Sequence, residues 1–195
     1  MAPWKALLAG LVTAFALSVP IEAAPAGAPH IPDLDNHLVD PFQAPAGIKA
    51  IVFLFVSVEC PISNRYAPEI RRLHDAFATR GLALRVVYPN PAESPAMIRA
   101  HVKDYGLPPV ALRDPKQELA KFTGATITPE AAVYDPQGRR LYLGRIDDRY
   151  VSLGLQRPAA TEHDLEDALV DTLEGRRVRH ATAPAVGCYI ADFSR

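Results

Sequence analysis

The chain has 195 residues, of which 49% are hydrophobic and 22% are charged, the composition of an ordinary globular protein. This length suits one domain with a core of full size, preceded by a leader. Its 21 Lys and Arg residues are scattered among 22 Asp and Glu residues and the net charge is -1, so no basic stripe exists to follow a nucleic acid. We therefore predict no nucleic-acid partner.

The N-terminal residues are typical of a secretory signal. Lys5 supplies one positive charge, residues 6–19 are apolar, and Pro20 and several small residues follow. An uncleaved anchor is the alternative, but this apolar stretch is shorter than the ~20 residues that span a bilayer. We predict a signal peptide over residues 1–25 and an exported mature protein, periplasmic or extracellular, without a membrane span. Disulfides form and persist in such compartments.

The next segment, residues 26–47, is rich in Pro and Ala and predicts a linker with at most a short strand near His37–Val39. The continuous apolar run Ile51–Val58 then favours a strand covered on both faces in a sheet with parallel neighbours. A helix is predicted over Asn64–Arg80, because apolar residues recur there at helical spacing, and Gly81 ends it.

The remaining elements are predicted from apolar runs and from helix caps. They are a strand Leu82–Tyr88, a helix from Pro95 to Gly106 with Ser94 as its N-cap, a strand Val110–Leu112, a helix over about 115–122, a hairpin of Ala131–Tyr134 and Arg140–Gly144, and a last helix Glu162–Leu173. This order predicts an α/β domain over residues 48–176 with a central mixed sheet and helices on both faces, and the thioredoxin fold matches it. Residues 177–195 form a C-terminal tail.

Two short motifs stand at particular places in this order. Cys60-Pro-Ile-Ser63 follows the first core strand and opens a helix, and Thr128-Pro129 precedes the hairpin. This arrangement resembles the thioredoxin-like redoxins, the superfamily of the alkyl hydroperoxide reductases, thiol-specific antioxidants and envelope thiol-disulfide oxidoreductases. The resemblance implies a reactive Cys60 in a Cys-x-x-Ser turn, with Ser63, Thr128 and a cis Pro129 beside the sulfur.

Longer strings resemble a closer subgroup of bacterial envelope redoxins: "ECPISNRYAPE", "TPEA", "GRIDDRY" and a closing "GC-x-I". Two departures from the wider superfamily stand beside this resemblance. Ser63 replaces the second cysteine of Cys-x-x-Cys, so no local dithiol can form. The motif of the peroxiredoxins is Pro-x-x-x-Thr-x-x-Cys, but in this chain Phe53 stands at the Pro position and Ser57 at the Thr position.

Cys60 is the candidate nucleophile. The thiolate is the attacking species in disulfide exchange, and the N-terminus of a helix stabilises it through unpaired N–H groups and the helix dipole. Pro61 suits the first helical position because the N–H that it lacks has no partner there. The alternative is a small buried hydrophobic residue, as free Cys often is.

Cys188, the second of only two cysteines, lies in the tail. One hypothesis makes it the resolving thiol that forms a disulfide with Cys60 after Cys60 has been oxidised or captured. A second makes the pair a permanent structural bond, and a third leaves both thiols separate.

Other polar residues give weaker indications of a functional site than the two cysteines do. None of the six histidines lies within four residues of Cys60, and His180, near Cys188, is the one hint of a copper site. We predict no cofactor and no metal. The charged residues 145–149 are interpreted as a solvated turn with ion pairs, or as the source of an arginine that reaches Cys60. Glu59 and Glu130 flank the two motifs and are candidate proton carriers.

Together these features predict an exported thiol-disulfide oxidoreductase that acts on protein or small-molecule thiols and disulfides. The catalytic candidates are Cys60, Ser63, Thr128, Pro129 and Cys188. One alternative is a peroxiredoxin-like thiol peroxidase in which Cys60 attacks peroxide. The other is a non-enzymatic domain that binds copper(I) or a protein partner.

Overall fold

The structure, a computed structural model, describes residues 25–191. The signal peptide predicted over residues 1–25 thus lies outside the described residues except for Pro25, as do residues 192–195. The described elements are β1 Ile31–Pro32, β2 Leu38–Val39, β3 Ala50–Phe55, α1 Pro61–Phe77, a 3-10 turn Ala78–Arg80, β4 Leu82–Tyr88, α2 Pro95–Tyr105, β5 Ala111–Arg113, α3 Glu118–Thr123, β6 Ile127–Thr128, β7 Glu130–Tyr134, β8 Arg140–Gly144, β9 Tyr150–Ser152, β10 Leu155–Gln156, α4 Asp164–Leu173, β11 Thr182–Ala183 and β12 Cys188–Tyr189.

A six-stranded mixed sheet forms the centre of the molecule, in the order β11-β8-β7-β3-β4-β5. The strands β3, β4 and β5 run parallel, whereas β7 is antiparallel to both β3 and β8. All six residues of β3 are buried, which explains its continuous apolar sequence. The predicted α/β thioredoxin fold with a mixed sheet is therefore confirmed.

The two faces of the sheet carry different helices. Val52 and Leu54 of β3 pack in a core with residues of α1, α2 and α4. The neighbouring Phe53 and Phe55 point to the other face, into a second core with residues of α3 and of the N-terminal segment. The steps from β3 to β4 and from β4 to β5 go in the same direction, and right-handed crossovers place both connecting helices on one face.

Residues 26–47 are more closely packed than a linker. Ile31 and Phe42 are buried in the second core, and the ring of Phe42 lies 4.9 Å from that of Phe53 and 5.1 Å from that of Tyr134. Two short strands, β1 and β2, also pair here, where one strand was expected. Isolated apolar residues between prolines have no periodicity, and their burial depends on the distant sheet that they contact.

Several helix ends follow the sequence closely. The hydroxyl of Ser94 accepts a hydrogen bond from the N–H of Met97 at 3.3 Å, and Gly106 ends α2 with a positive φ of 61°, as a C-terminal glycine does. Helix α1, by contrast, begins at Pro61 and not at Asn64, so the helix takes in the whole Pro-Ile-Ser sequence. None of the described helices is long and apolar enough to cross a membrane.

Candidate active site

Cys60 caps the N-terminus of α1. Its backbone is extended, Pro61 takes the first turn of the helix, and the sulfur accepts a hydrogen bond from the N–H of Ser63 at 3.5 Å. The residue is 1% exposed. The sulfur therefore lies at the positive end of the helix dipole, where negative charge on it is favoured.

Ser63 and the Thr128-Pro129 turn also lie at this sulfur. The Thr128-Pro129 peptide bond is cis, and the Cys60 thiol donates to the carbonyl oxygen of Thr128 at 3.1 Å. The hydroxyl of Ser63 is buried, and Ser63 is among the residues that lower the pKa of Cys60. The structure therefore brings together these candidates from the two sequence motifs.

Cys188 reaches the same place from the C-terminal tail. Strand β12 pairs antiparallel with β6, with Cys188 opposite Thr128, and the Thr128 hydroxyl donates to the carbonyl of Cys188 at 3.3 Å. The side chains of Cys60 and Cys188 lie close enough to alter each other's pKa, and both residues are free thiols. All five predicted site residues therefore lie in one cluster.

The two thiols have opposite electrostatic environments. Burial raises the pKa of Cys60, but the polar groups of Cys188, Ser63 and Thr128 outweigh this effect and lower it overall. Burial and the adjacent Cys60 sulfur raise the pKa of Cys188 to about 11. When the pair loses its first proton, Cys60 therefore carries the negative charge and Cys188 keeps its proton.

Glu130 lies beneath β6. Its side chain is buried, burial raises its pKa, and its carboxylate accepts from the N–H of Thr126 at 2.7 Å and from that of Ile127 at 3.2 Å. It thus fixes the backbone on which the tail docks. Glu59 is exposed on the loop before Cys60. A role as proton carrier stays a prediction for both.

Two polar side chains that the sequence did not single out hold the loop before Cys60. Glu93, 2% exposed, accepts from the Ser57 hydroxyl and from the N–H of Val58, both at 2.7 Å. Asn64 donates to the carbonyl of Val58 at 3.0 Å, and its own carbonyl oxygen lies 2.8 Å from Nε2 of His101. The backbone of Val58 is thus fixed at both its N–H and its C=O. Glu93 lies in a loop without periodicity, so no sequence pattern marks it.

The buried imidazole of His101 completes this network. Its Nδ1 lies 2.8 Å from the hydroxyl of Tyr88, and burial lowers its pKa, which favours the neutral ring. In that form Nε2–H donates to Asn64 and Nδ1 accepts from Tyr88, so every polar atom of the ring is used.

The charged residues 145–149 form ion pairs, as expected. Arg145 donates through Nε to Asp164 of α4 at 2.6 Å, so its positive charge is paired with a carboxylate of that helix. The turn is less solvated than expected, because Asp147 is buried and accepts a hydrogen bond from the hydroxyl of Tyr66 in α1.

Within residues 25–191, one group of three side chains could hold a metal ion, and it does not include either cysteine. Glu69, His163 and Glu166 bring their ligand atoms within 4.8 Å of one another. Arg72 already pairs with both glutamates there. His180 forms no such group with Cys60 and Cys188 among the described residues.

Comparisons with known proteins agree with this geometry. The sequence model of the AhpC/TSA family matches residues 25–140. No curated protein sequence matches the chain. A solved structure of a hypothetical protein from Sinorhizobium meliloti is 28% identical, with a TM-score of 0.74 over 91% of this chain and 97% of that chain. An uncharacterised conserved protein from Geobacillus kaustophilus is 26% identical, with a TM-score of 0.71 over 89% and 97%.

A secreted disulfide oxidoreductase of Mycobacterium tuberculosis shares the fold at greater distance. It is 17% identical, with a TM-score of 0.53 over 73% of this chain and 95% of that chain. This likeness places the chain among thioredoxin-like folds.

Proposed function

This chain belongs to the AhpC/TSA family, and from that premise we propose that it is a thiol-disulfide oxidoreductase that works through Cys60 and Cys188. The observation that carries the proposal is that Thr128 holds both cysteines at the start of α1. Its carbonyl accepts a hydrogen bond from the Cys60 thiol at 3.1 Å, and it lies opposite Cys188 in the pair of β6 and β12. The lowered pKa of Cys60 supports attack on a disulfide, because the thiolate is the nucleophile. The raised pKa of Cys188 keeps the second sulfur protonated until the first has reacted.

In the first step the Cys60 thiolate attacks one sulfur of a substrate disulfide. A bond forms between Cys60 and that sulfur while the substrate's own S–S bond breaks, and the other substrate sulfur leaves as a thiolate that takes a proton from solvent. The N–H of Ser63 and the dipole of α1 favour the thiolate before attack. The product is a mixed disulfide on Cys60.

In the second step Cys188 loses its proton and attacks the Cys60 sulfur. The Cys60–Cys188 bond forms, the mixed disulfide breaks, and the remaining substrate thiolate leaves and is protonated. The substrate disulfide has then become two thiols, and the two thiols of the protein have become one disulfide. The same steps in reverse oxidise two substrate thiols. Ser63 occupies the place of the second cysteine of a Cys-x-x-Cys turn, and the tail supplies the missing sulfur.

We further propose that the protein is exported to the periplasm or the extracellular space and that it belongs to the envelope subgroup with a single cysteine in the Cys-x-x-Ser turn. The predicted signal sequence over residues 1–25 supports export. A redox-active pair of cysteines suits an oxidising compartment, because disulfides persist there. Its substrates would be the thiols and disulfides of proteins or of small molecules.

Mass mapping tests the proposal directly. The reduced protein is treated with a small-molecule disulfide and its cysteine peptides are identified before and after mild reduction. We expect a reversible Cys60–Cys188 bond in the wild type and a trapped mixed disulfide on Cys60 in Cys188→Ser. The proposal fails if both thiols stay free after treatment. Consumption of peroxide that needs a thiol donor and is lost in Cys60→Ser would instead favour the peroxidase alternative.

A further inference from the structure

The edge of β6 beside Cys60 is covered by the chain's own residues 186–191, which we call the docked tail. Cys188 pairs with Thr128 and Tyr189 with Ile127 in antiparallel register. The N–H of Ile190 then donates to the carbonyl of Thr126 at 2.9 Å. Backbone groups on this edge of β6 are therefore used by a segment of the same chain.

The docked tail leaves little access to the reactive sulfur. Cys60 is 1% exposed. The cavity beside the tail measures about 80 Å³ and is lined by Ser57, Gln117, Thr128 and Cys188, among others. Such a volume holds only a few water molecules, each of which occupies ~30 Å³ in the liquid. No polypeptide segment can reach Cys60 through it.

We propose that the docked tail is a built-in competitor for a partner polypeptide that pairs with β6 in its place. This inference rests on the proposed function, because a protein substrate must bring its sulfur to Cys60. An extended segment that adds to a sheet edge binds through its backbone hydrogen bonds, while pockets for alternate side chains select its sequence. The docked tail and the partner segment would use the same bonds, so they exclude each other.

The tail also indicates which partner sequence the edge accepts. The side chain of Tyr189 is 80% exposed, so the position after the sulfur tolerates any residue. Ile190 packs against the core on the α3 side, so the second position after the sulfur favours an apolar residue. Gly187, at the position before the sulfur, leaves no room for a side chain. The partner would be an extended segment that reads Gly-Cys-x-apolar.

Gly187 is the position at which docking can be tested. A Cβ built there would lie 2.0 Å from the carbonyl oxygen of Thr128 and 2.7 Å from its carbonyl carbon, and both distances are shorter than real Cβ contacts. Both atoms belong to the backbone of β6, which Glu130 holds from below. Gly187→Ala should therefore release the tail without changing either cysteine.

The experiment uses the full-length reduced protein and a fluorescent peptide with the sequence of residues 185–191, carrying serine in place of Cys188. Because the peptide has no thiol, binding is measured apart from disulfide chemistry. A docked tail has an effective concentration on the order of millimolar, so micromolar peptide should not displace it from the wild type. We expect the peptide to bind Gly187→Ala at least tenfold more tightly than the wild type. Tyr189→Ala is the matched control, and it should behave as the wild type because its side chain is exposed.

Hydrogen exchange of the amides of residues 187–190 reports docking itself. We expect fast exchange in Gly187→Ala, with unchanged protection in β3 and β4 as proof of folding. The proposal is overturned if the tail is released but the peptide does not bind, or if the tail stays protected in Gly187→Ala. A second variant, Gln117→Ala, removes a hydrogen bond to the carbonyl of Ala191 and should give an intermediate gain in peptide binding. A failure of Cys60 and Cys188 to form a disulfide would refute the proposed function without changing these results.

Discussion

Cys188 lies opposite Thr128 in an antiparallel strand pair, although the two residues are 60 positions apart in the chain. The carbonyl of Thr128 accepts a hydrogen bond from Cys60 at 3.1 Å, while its hydroxyl donates to the backbone of Cys188 at 3.3 Å. Thr128 thus holds both cysteines at once. A two-residue strand pair at this threonine brings the second sulfur to a turn that lacks one.

The influence of Cys188 on the pKa of Cys60 should be measurable. Replacing Cys188 by Ala removes a polar group that lies close to the Cys60 sulfur. We therefore expect Cys188→Ala to raise the pKa of Cys60, because the thiolate loses a group that stabilises it. The pH dependence of iodoacetamide alkylation, mapped to Cys60 by mass spectrometry, gives this pKa. Cys188→Ser, which keeps a hydroxyl donor, should show a smaller rise, and equal pKa values in Cys188→Ala and the wild type would contradict the assignment.

A bond between Cys60 and Cys188 should also change the stability of the fold. It closes a loop of roughly 130 residues, which in the chain-entropy model contributes ~4–5 kcal/mol. For a domain of this size, 1 kcal/mol shifts the melting temperature by ~2–4 °C. We expect the oxidised protein to melt on the order of 10 °C above the reduced one, as measured by calorimetry with and without reductant. Cys188→Ser should melt at one temperature in both conditions, and a redox-dependent shift in that variant would argue against the pair as its cause.

Elements with strong local signals were predictable from sequence. The strand Leu82–Tyr88 is found with the predicted bounds, because an apolar run lies between Gly81 and Pro89. Helix α2 begins at Pro95, as predicted from the Ser94 cap and the proline. The last helix begins at Asp164, two residues later than expected. The residue before it, His163, makes no side-chain cap within residues 25–191, so the acidic residues of the first turn, Asp164, Glu166 and Asp167, are the local signal for the start and fix it less sharply than a cap does.

Features that depend on contacts between distant segments were not predictable. Cys188 docks through a strand of two residues, which is too short to show any periodicity. Glu93 reaches the loop before Cys60 across 36 positions to Ser57 and 35 to Val58. The position of Cys60 at a helix start could be predicted, because strand, cysteine and proline are adjacent in sequence. The contact between Cys188 and Cys60 could not be predicted in this way.

Glu93 should act as a positioning residue for the loop that carries Cys60. In Glu93→Ala the hydroxyl of Ser57 and the N–H of Val58 lose their acceptor, and an unsatisfied buried group costs ~1–3 kcal/mol. We expect a loss of ~2–3 kcal/mol in the free energy of unfolding and a several-fold slower reaction of Cys60 with a chromogenic disulfide. Both are measurable, by urea titration and by stopped-flow absorbance.

Glu93→Gln is the matched control for this prediction, because its amide carbonyl can still accept both hydrogen bonds. The Oε2 atom of Glu93 has no hydrogen-bond partner among residues 25–191, and the amide nitrogen would lie at its position. Gln is also uncharged, so it avoids the cost of burying a carboxylate, the cause that raises the pKa of Glu93. We expect a reaction rate within about twofold of the wild type. If Ala and Gln slow Cys60 equally, the charge of Glu93 matters and not its hydrogen bonds.

Asp114 should make the stability of the protein depend on pH in the opposite sense to a salt-bridged carboxylate. It is 1% exposed, its Oδ2 accepts from the N–H of Ala120 at 2.8 Å, and its Oδ1 has no hydrogen-bond partner among residues 25–191. Burial raises its pKa to about 6, although hydrogen bonds from the backbone N–H groups of Ala120, Leu119 and Glu118 in α3 act against this. The folded state therefore binds the proton more tightly than the unfolded state. The contribution to stability is complete below about pH 4 and is lost as the pH rises through about 6.

The variant Asp114→Asn keeps an acceptor for the N–H of Ala120 but does not titrate. Since one pKa unit corresponds to ~1.4 kcal/mol, we expect Asp114→Asn to gain ~2–3 kcal/mol over the wild type between pH 3 and pH 7. Urea unfolding of both proteins at intervals of half a pH unit measures this, and taking the difference removes the titration of every other group that the two proteins share. A difference that stays constant across this range would show that the Asp114 carboxyl has the same pKa in the folded and unfolded chains. The rise should end near pH 6, because above the folded-state pKa both states carry the charged carboxylate and no further proton is exchanged.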